Sequence, residues 1–163
     1  MPLDIVVDTN LYVSYIFSKP GSTIPTALRY AHQAHQVHQS PQTFTEIETV
    51  LNRSKFAKYL PASRREAILE DIFDLCKFTD PRHDVEISPD PKDNMLFALA
   101  KAVDADLLIS GDTKHVLSIP EFEGTQTISP ADFIDPENLG LYFGHQASLV
   151  RRSSGIFVPE QLH

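Results

Sequence analysis

The chain has 163 residues and 42% apolar content, enough for one domain with a proper core and against wholesale disorder. No apolar run approaches the ~20 residues of a membrane span. A formal charge of −8 argues against a protein that holds nucleic acid by bulk electrostatics, but not against a nuclease whose acids gather round cations. The opening MPLDIVVDTN lacks a charged region followed by a long apolar one, so no secretory leader is expected. One cysteine, Cys76, excludes an intrachain disulfide and makes a reducing cytosol the natural compartment. Its setting, IFDLCKF, reads as that of a buried small hydrophobe rather than a nucleophile.

Residues 4–8, DIVVD, read as a short buried strand ending in an acid. LYVSYIF starts a helix, and Lys19-Pro20-Gly21-Ser22 is a loop. TIPTALRYAHQAH is helical, with Ile24, Leu28 and Ala31 on one side. Residues 37–40 form at most a weak strand. Residues 41–59 read as one helix with Phe44, Ile47, Val50 and Leu51 on its apolar face. After Pro61, Ser63 is expected to cap a helix over 63–78, with Glu66 completing a capping box. Residues 79–92 are a Pro- and Asp-rich loop, NMLFALAKAVDA is a helix, LLIS a buried strand and GDTK a turn. TQTIS is a final strand before Pro130 and a short helix over 131–134. Helices separate most of the strands, which predicts a parallel sheet covered on both faces. Residues 136–163 fall outside this alternation and are expected to be a tail, mobile or docked on a partner.

Four acids hold places that chemistry favours. Asp8 follows the first strand, and Asp112 sits in the turn after LLIS. In parallel α/β sheets ligands bind beyond the carboxyl ends of the strands. Glu46 and Asp93 lie at or near helix starts, where a dipole-favoured or solvated acid is an equally good reading of either one alone. Two carboxylates ~5 Å apart at an effective dielectric of 20 repel by about 3 kcal/mol. A cluster of four therefore calls for neutralisation, and oxygen-only ligands suit Mg²⁺ or Mn²⁺.

The blocks VVDTN at 6–10, SPQTFTEIETVLNRSKF at 40–56, DPKDNMLFALA at 90–100 and LLISGDTKHVL at 107–117 resemble the motif blocks of PIN-domain proteins. The similarity extends to the VapC-like toxin components of bacterial toxin–antitoxin pairs. It runs in order from about residue 3 to 134. It implies an α/β fold, a PIN-like three-layer α/β/α sandwich with a central, mostly parallel sheet, filling a nuclease domain over 1–135. It also implies that Asp8, Glu46, Asp93 and Asp112 are catalytic metal ligands, with Asn10, Ser110 and Asp90 in support. The implied activity is Mg²⁺- or Mn²⁺-dependent endoribonuclease cleavage of single-stranded or looped RNA. A small antitoxin and a homodimer are the implied partners. The polar strand VHQ before Ser40 and the stretch after 135 depart from the pattern.

Residues 53–65, RSKFAKYLPASRR, hold Arg53, Lys55, Lys58, Arg64 and Arg65 without an acid, with Phe56 and Tyr59 interleaved. This island is expected either to bind RNA by phosphate contact and stacking or to be a solvated face over core aromatics. Lys114 and His115, next to Asp112, are candidates for substrate contact. His32, His35 and His38 lack interleaved acids or cysteines and read as an exposed polar helix end rather than a metal site. A haloacid-dehalogenase-like phosphatase would want a second Asp where Asn10 stands. A non-catalytic PIN-like module would be expected to lack one or more of the acids.

Overall fold

A computed structural model describes residues 2–138. Strand β1 (Asp4–Val7) lies at the centre of a six-stranded sheet. Around it lie β2 (Gln36–Gln39), β3 (Lys77–Phe78), β4 (Leu107–Ile109), β5 (Glu121–Phe122) and β6 (Thr125–Ile128), in the order β3-β2-β1-β4-β6-β5. All pairings are parallel except β5 with β6. The helices are α1 (Thr9–Phe17), α2 (Thr23–Ala34), α3 (Pro41–Leu51), α4 (Ser54–Ala57), α5 (Ala62–Leu75), α6 (Asn94–Val103) and α7 (Pro130–Phe133).

The period-2 alternation of strand side chains divides the core. Ile5, Val7, Leu107 and Ile109 face one side, where they pack with Leu11, Leu28, Ile47, Ile68 and Phe133 of the helices. Val6 and Leu108 face the other side and meet Leu96, Phe97, Leu99 and Ala100 of α6. Helices thus cover both faces of a mostly parallel sheet, and β4 and, after Asp4, β1 are buried apolar runs. From β1 the chain steps to β2 on one side, while β4 flanks it on the other. The gap beyond the carboxyl ends of β1 and β4 is a topological switch point.

Several local expectations are corrected. The helix expected over 41–59 is two. Ser40 and Thr43 form a capping box at the start of α3. The helix stops at Asn52, whose side-chain amide donates to the Glu48 carbonyl at 2.8 Å, and Arg53 is extended. Ser63 does not cap α5: the helix begins at Ala62 with Pro61 at the cap position and no side-chain cap bond. The helix expected to reach Phe78 ends at Leu75. Lys77 and Phe78 join the edge of the sheet against His38 and Gln39, with Phe78 packed on Phe44 and Phe73. Strand β5 escaped sequence reading because its hairpin turn, Glu123-Gly124, carries positive φ at both residues without the usual Asn-Gly signal.

The three histidines are not an exposed helix end. His35 and His38 are buried and His32 is largely so. Each has a partner: His32 Nε2 meets the Tyr12 hydroxyl at 2.8 Å, His35 Nδ1 accepts from the Leu3 N–H, and His38 Nε2 meets Asp4 at 2.8 Å. Burial lowers His32 to about 3 and His35 to about 4, so both are neutral parts of the packing. Cys76 is partly buried, and burial pushes its thiol up to about 12, which removes nucleophilic character. Among the described residues no helix is long and apolar enough to cross a membrane. The tail expected over 136–163 lies, from residue 139 on, outside the described residues.

Candidate metal centre

Asp8 leaves β1 and caps α1. Its backbone is pinned to the neighbouring strand by an Asp8 N–H bond to the Ile109 carbonyl at 2.8 Å. Its side chain is 2% exposed, a depth at which a carboxylate needs donors. One oxygen accepts from the Asn10 N–H at 3.0 Å and the other from the Ser110 hydroxyl at 2.7 Å. Ser110 in turn accepts from the Asp112 N–H at 3.0 Å. A single buried hydroxyl thus ties together the acids that follow the two adjacent strands.

Asp112 opens a tight turn. Its Oδ1 accepts from the N–H groups of Lys114 and His115, both at 2.9 Å, and its Oδ2 faces His115 Nδ1 at 3.1 Å. The loop carrying Asp90 and Asp93 is fastened beside it. Ser88 donates to the His115 carbonyl at 2.8 Å, and Asn94 Oδ1 accepts from the N–H groups of Ile87 and Ser88. Asp90 accepts from the Lys92 N–H in a one-turn 3₁₀ segment over Pro91–Asp93. Asp93 stands at the start of α6, yet its side chain makes no capping bond there. Its Oδ2 is buried with no hydrogen-bond partner.

Glu46, Asp90, Asp93 and Asp112 line one cleft of about 170 Å³, together with Asn10, Arg53 and Lys92. Asp8 is not among its lining residues but is close enough that its charge raises Asp93 and that Asp112 and Glu46 raise Asp8. Burial is the first cause lifting the Asp8 carboxyl above the ordinary range, and Ser110 and Asn10 pull it partly back. Burial also leads at Asp93, where Asp8, Asp90 and Asp112 add repulsion; the carboxyl is pushed up to about 6. Burial acts to raise Asp112 as well, but the hydrogen bonds from His115 and Lys114 outweigh it and hold that acid low. Asp90, Asp93 and His115 present ligand atoms within 4.8 Å of one another.

Of the cations singled out in the sequence, Arg53 lines the cleft, whereas Lys55, Lys58 and Lys114 are exposed and not among its lining residues. Lys92 is on the wall, and nothing in its DPKD setting distinguished it from an ordinary turn lysine. His115 is turned toward Asp112 and shares a ligand-sized group with Asp90 and Asp93, a role its position three residues after an acid could have suggested.

The donor set fits a hard divalent cation. It is mainly carboxylate oxygen, it concentrates negative charge that lifts two of its own members, and one buried oxygen lacks any donor. Compared with known families, residues 4–114 match the model described as a PIN domain. No curated protein matches the chain.

Proposed function

The chain belongs to the PIN-domain family, and from that membership we propose that it is a metal-dependent endoribonuclease using Asp8, Glu46, Asp93 and Asp112 to hold Mg²⁺ or Mn²⁺. PIN domains are generally nucleases, so the reading concerns which acids act and on what. The observation that carries it is the Asp93 carboxyl, raised to about 6 by burial and three neighbouring acids and left with a buried oxygen that accepts no hydrogen bond. Evolving such a group into a merely structural helix start has no physical advantage; a cation satisfies both the charge and the lone pairs.

When bound, a divalent ion there supplies a water of lowered pKa and stabilises charge on a phosphoryl group. The chain's own residues do the rest. Ser110 and the Asn10 N–H favour the ionised form of Asp8 against its burial and hold it in one orientation. The Lys114 and His115 donors do the same for Asp112. Asp90, in the adjacent turn, adds a further carboxylate within reach of the same ion. Arg53 and Lys92 on the wall of the cleft are placed to pair with phosphate oxygens.

RNA as the substrate, the toxin role, a small antitoxin as inhibitor and a homodimer rest on the similarity of the four sequence blocks to VapC-like toxins. A cytosolic location rests on the lone, unreactive cysteine. The test is incubation of the purified protein with a mixed RNA pool, with and without Mg²⁺ or Mn²⁺, beside Asp8→Asn and Asp112→Asn. The wild type is expected to cut only with metal and the variants to be folded and nearly inert. Undiminished cleavage by well-folded Asp8→Asn overturns the assignment.

A further inference from the structure

Beyond the cleft the surface changes character. Arg53 is the cap residue of α4 and lines the acidic cleft; the same short segment then presents Lys55, Phe56, Lys58 and Tyr59. Tyr59 is 64% exposed, and Phe17, at the end of α1, is 46% exposed. Phe17 stacks on Phe56 with centroids 5.0 Å apart and planes inclined by 21°. The Lys55 ammonium lies 5.0 Å from the Phe56 ring centre and that of Lys58 5.7 Å from Tyr59. The segment is not loose. Leu60 is buried, and its N–H and that of Tyr59 both bond the Phe56 carbonyl.

Phe56 is half-buried, and the exposed Phe17 and Tyr59 in the same patch mark an interaction surface. Cations over ring faces, in a chain whose formal charge is −8, select a partner that is both flat and anionic. Unpaired nucleotides meet both demands, with bases for the rings and phosphates for the lysines. We propose that Phe17, Phe56 and Tyr59, with Lys55 and Lys58, form a stacking platform for single-stranded RNA that leaves the acidic cleft past Arg53. This rests on the ribonuclease reading and extends it by assigning the surface along which an unpaired strand leaves the cleft, held by stacking rather than by base edges. Asp8 and Phe17 stand at opposite ends of α1, about 13 Å apart at ~1.5 Å per residue. That span corresponds to roughly four stacked nucleotides at ~3.4 Å each, so the platform serves only substrates that extend beyond the cleft.

The test is fluorescence anisotropy of a labelled oligouridine of roughly 12 nucleotides, within the range of single-strand site sizes, in EDTA so that nothing is cut. It compares wild type, Tyr59→Ala, Phe17→Leu and the double variant Lys55→Ala with Lys58→Ala, each checked for folding by circular dichroism. Tyr59→Ala is expected to weaken binding about 5- to 100-fold with little change in salt dependence. The double lysine variant is expected to lose a log–log salt slope of about 0.7 per phosphate contact removed. A labelled dinucleotide is expected to bind all four proteins alike. Wild-type affinity for the long RNA in both folded aromatic variants overturns the platform, and if those variants also cut RNA the nuclease reading stands. No RNA binding by the wild type overturns the platform together with RNA as the substrate. Unchanged RNA affinity with loss of a dimer in sedimentation assigns the patch to a second copy of the chain and likewise overturns the platform.

Discussion

The Ser110 hydroxyl lies 2.7 Å from the Asp8 carboxylate, a contact between residues 102 positions apart in sequence. It is the largest influence opposing the burial that raises Asp8. Ser110→Ala is therefore expected to lift the Asp8 carboxyl further and to leave a buried charge short of one donor. Loss of a hydrogen bond to a charged group costs about 1.5–3 kcal/mol. Metal-dependent cleavage should fall more at acidic pH than at pH 8, because losing the Ser110 hydrogen bond favours the protonated form of Asp8. Parallel pH–rate profiles of the two proteins decide it: an equal loss at both pH values would show that Ser110 does not act through Asp8.

Asp93 gives the metal-free protein a pH dependence of defined sign. Its folded pKa, about 6, is above the ordinary 3.8. The fold therefore favours the neutral carboxyl, and the stability this contributes is complete below about pH 4 and lost as pH rises through 6. The shift, discounted for the partial exposure of the group, amounts to about 1–2 kcal/mol. Asp93→Asn should raise the apo melting temperature by about 2–8 °C at pH 7.5 and hardly at all at about pH 4. Equal gains at both pH values would mean that the charge of Asp93 is not what strains the site.

Adding Mn²⁺ or Mg²⁺ should relieve the same repulsion. At a hundred times the dissociation constant, a ligand that binds only the folded state stabilises it by about 2.7 kcal/mol. Thermal melts at pH 7.5 should shift upward with metal in the wild type and much less in Asp8→Asn. Identical shifts in the two proteins would place the bound ion elsewhere.

His115 contacts Asp112 through both its backbone and its ring. His115→Ala keeps the backbone bond and removes the ring contact, and also removes a ligand-sized neighbour of Asp90 and Asp93. Loss of such an orienting partner weakens metal affinity by about 10- to 100-fold. Calorimetric titration with Mn²⁺ measures it. Recovery in His115→Asn would mean that hydrogen bonding to Asp112 is the main contribution, whereas recovery in neither variant would assign the ring itself to the ion.

The parts of the fold legible in the sequence are those where local pattern and tertiary demand agree. IVV of β1 and LLI of β4 are apolar and β-branched or aliphatic throughout, and they form the buried centre of the sheet. The alternation of helices and strands foretold the parallel sheet. The failures are places where a distant contact overrides a local signal. Cys76 to Phe78 continue a helical pattern, but the ring of Phe78 is claimed by Phe44 and Phe73, and the backbone goes to the sheet edge. The histidines looked exposed because their partners, Tyr12, Leu3 and Asp4, come from elsewhere in the chain. At the cleft, Asp8 and Asp112 could be assigned to one edge by their positions after strands. That Lys92 and Arg53 share that cleft depends on a loop and a helix break that no periodicity encodes.

The pairing of β1 with β4 also has a consequence for synthesis. Asp8 leaves the ribosome before its Ser110 donor, which is 102 residues behind it. At about 5–20 residues per second, translation takes roughly 5–20 s to cover that interval. Until the end of that interval Asp8 lacks β4 beside it, the hydroxyl that orients it and the Asp112 carboxylate. A nascent chain thus has no assembled acidic cleft until β4 docks, and by then most of the described domain has already been made.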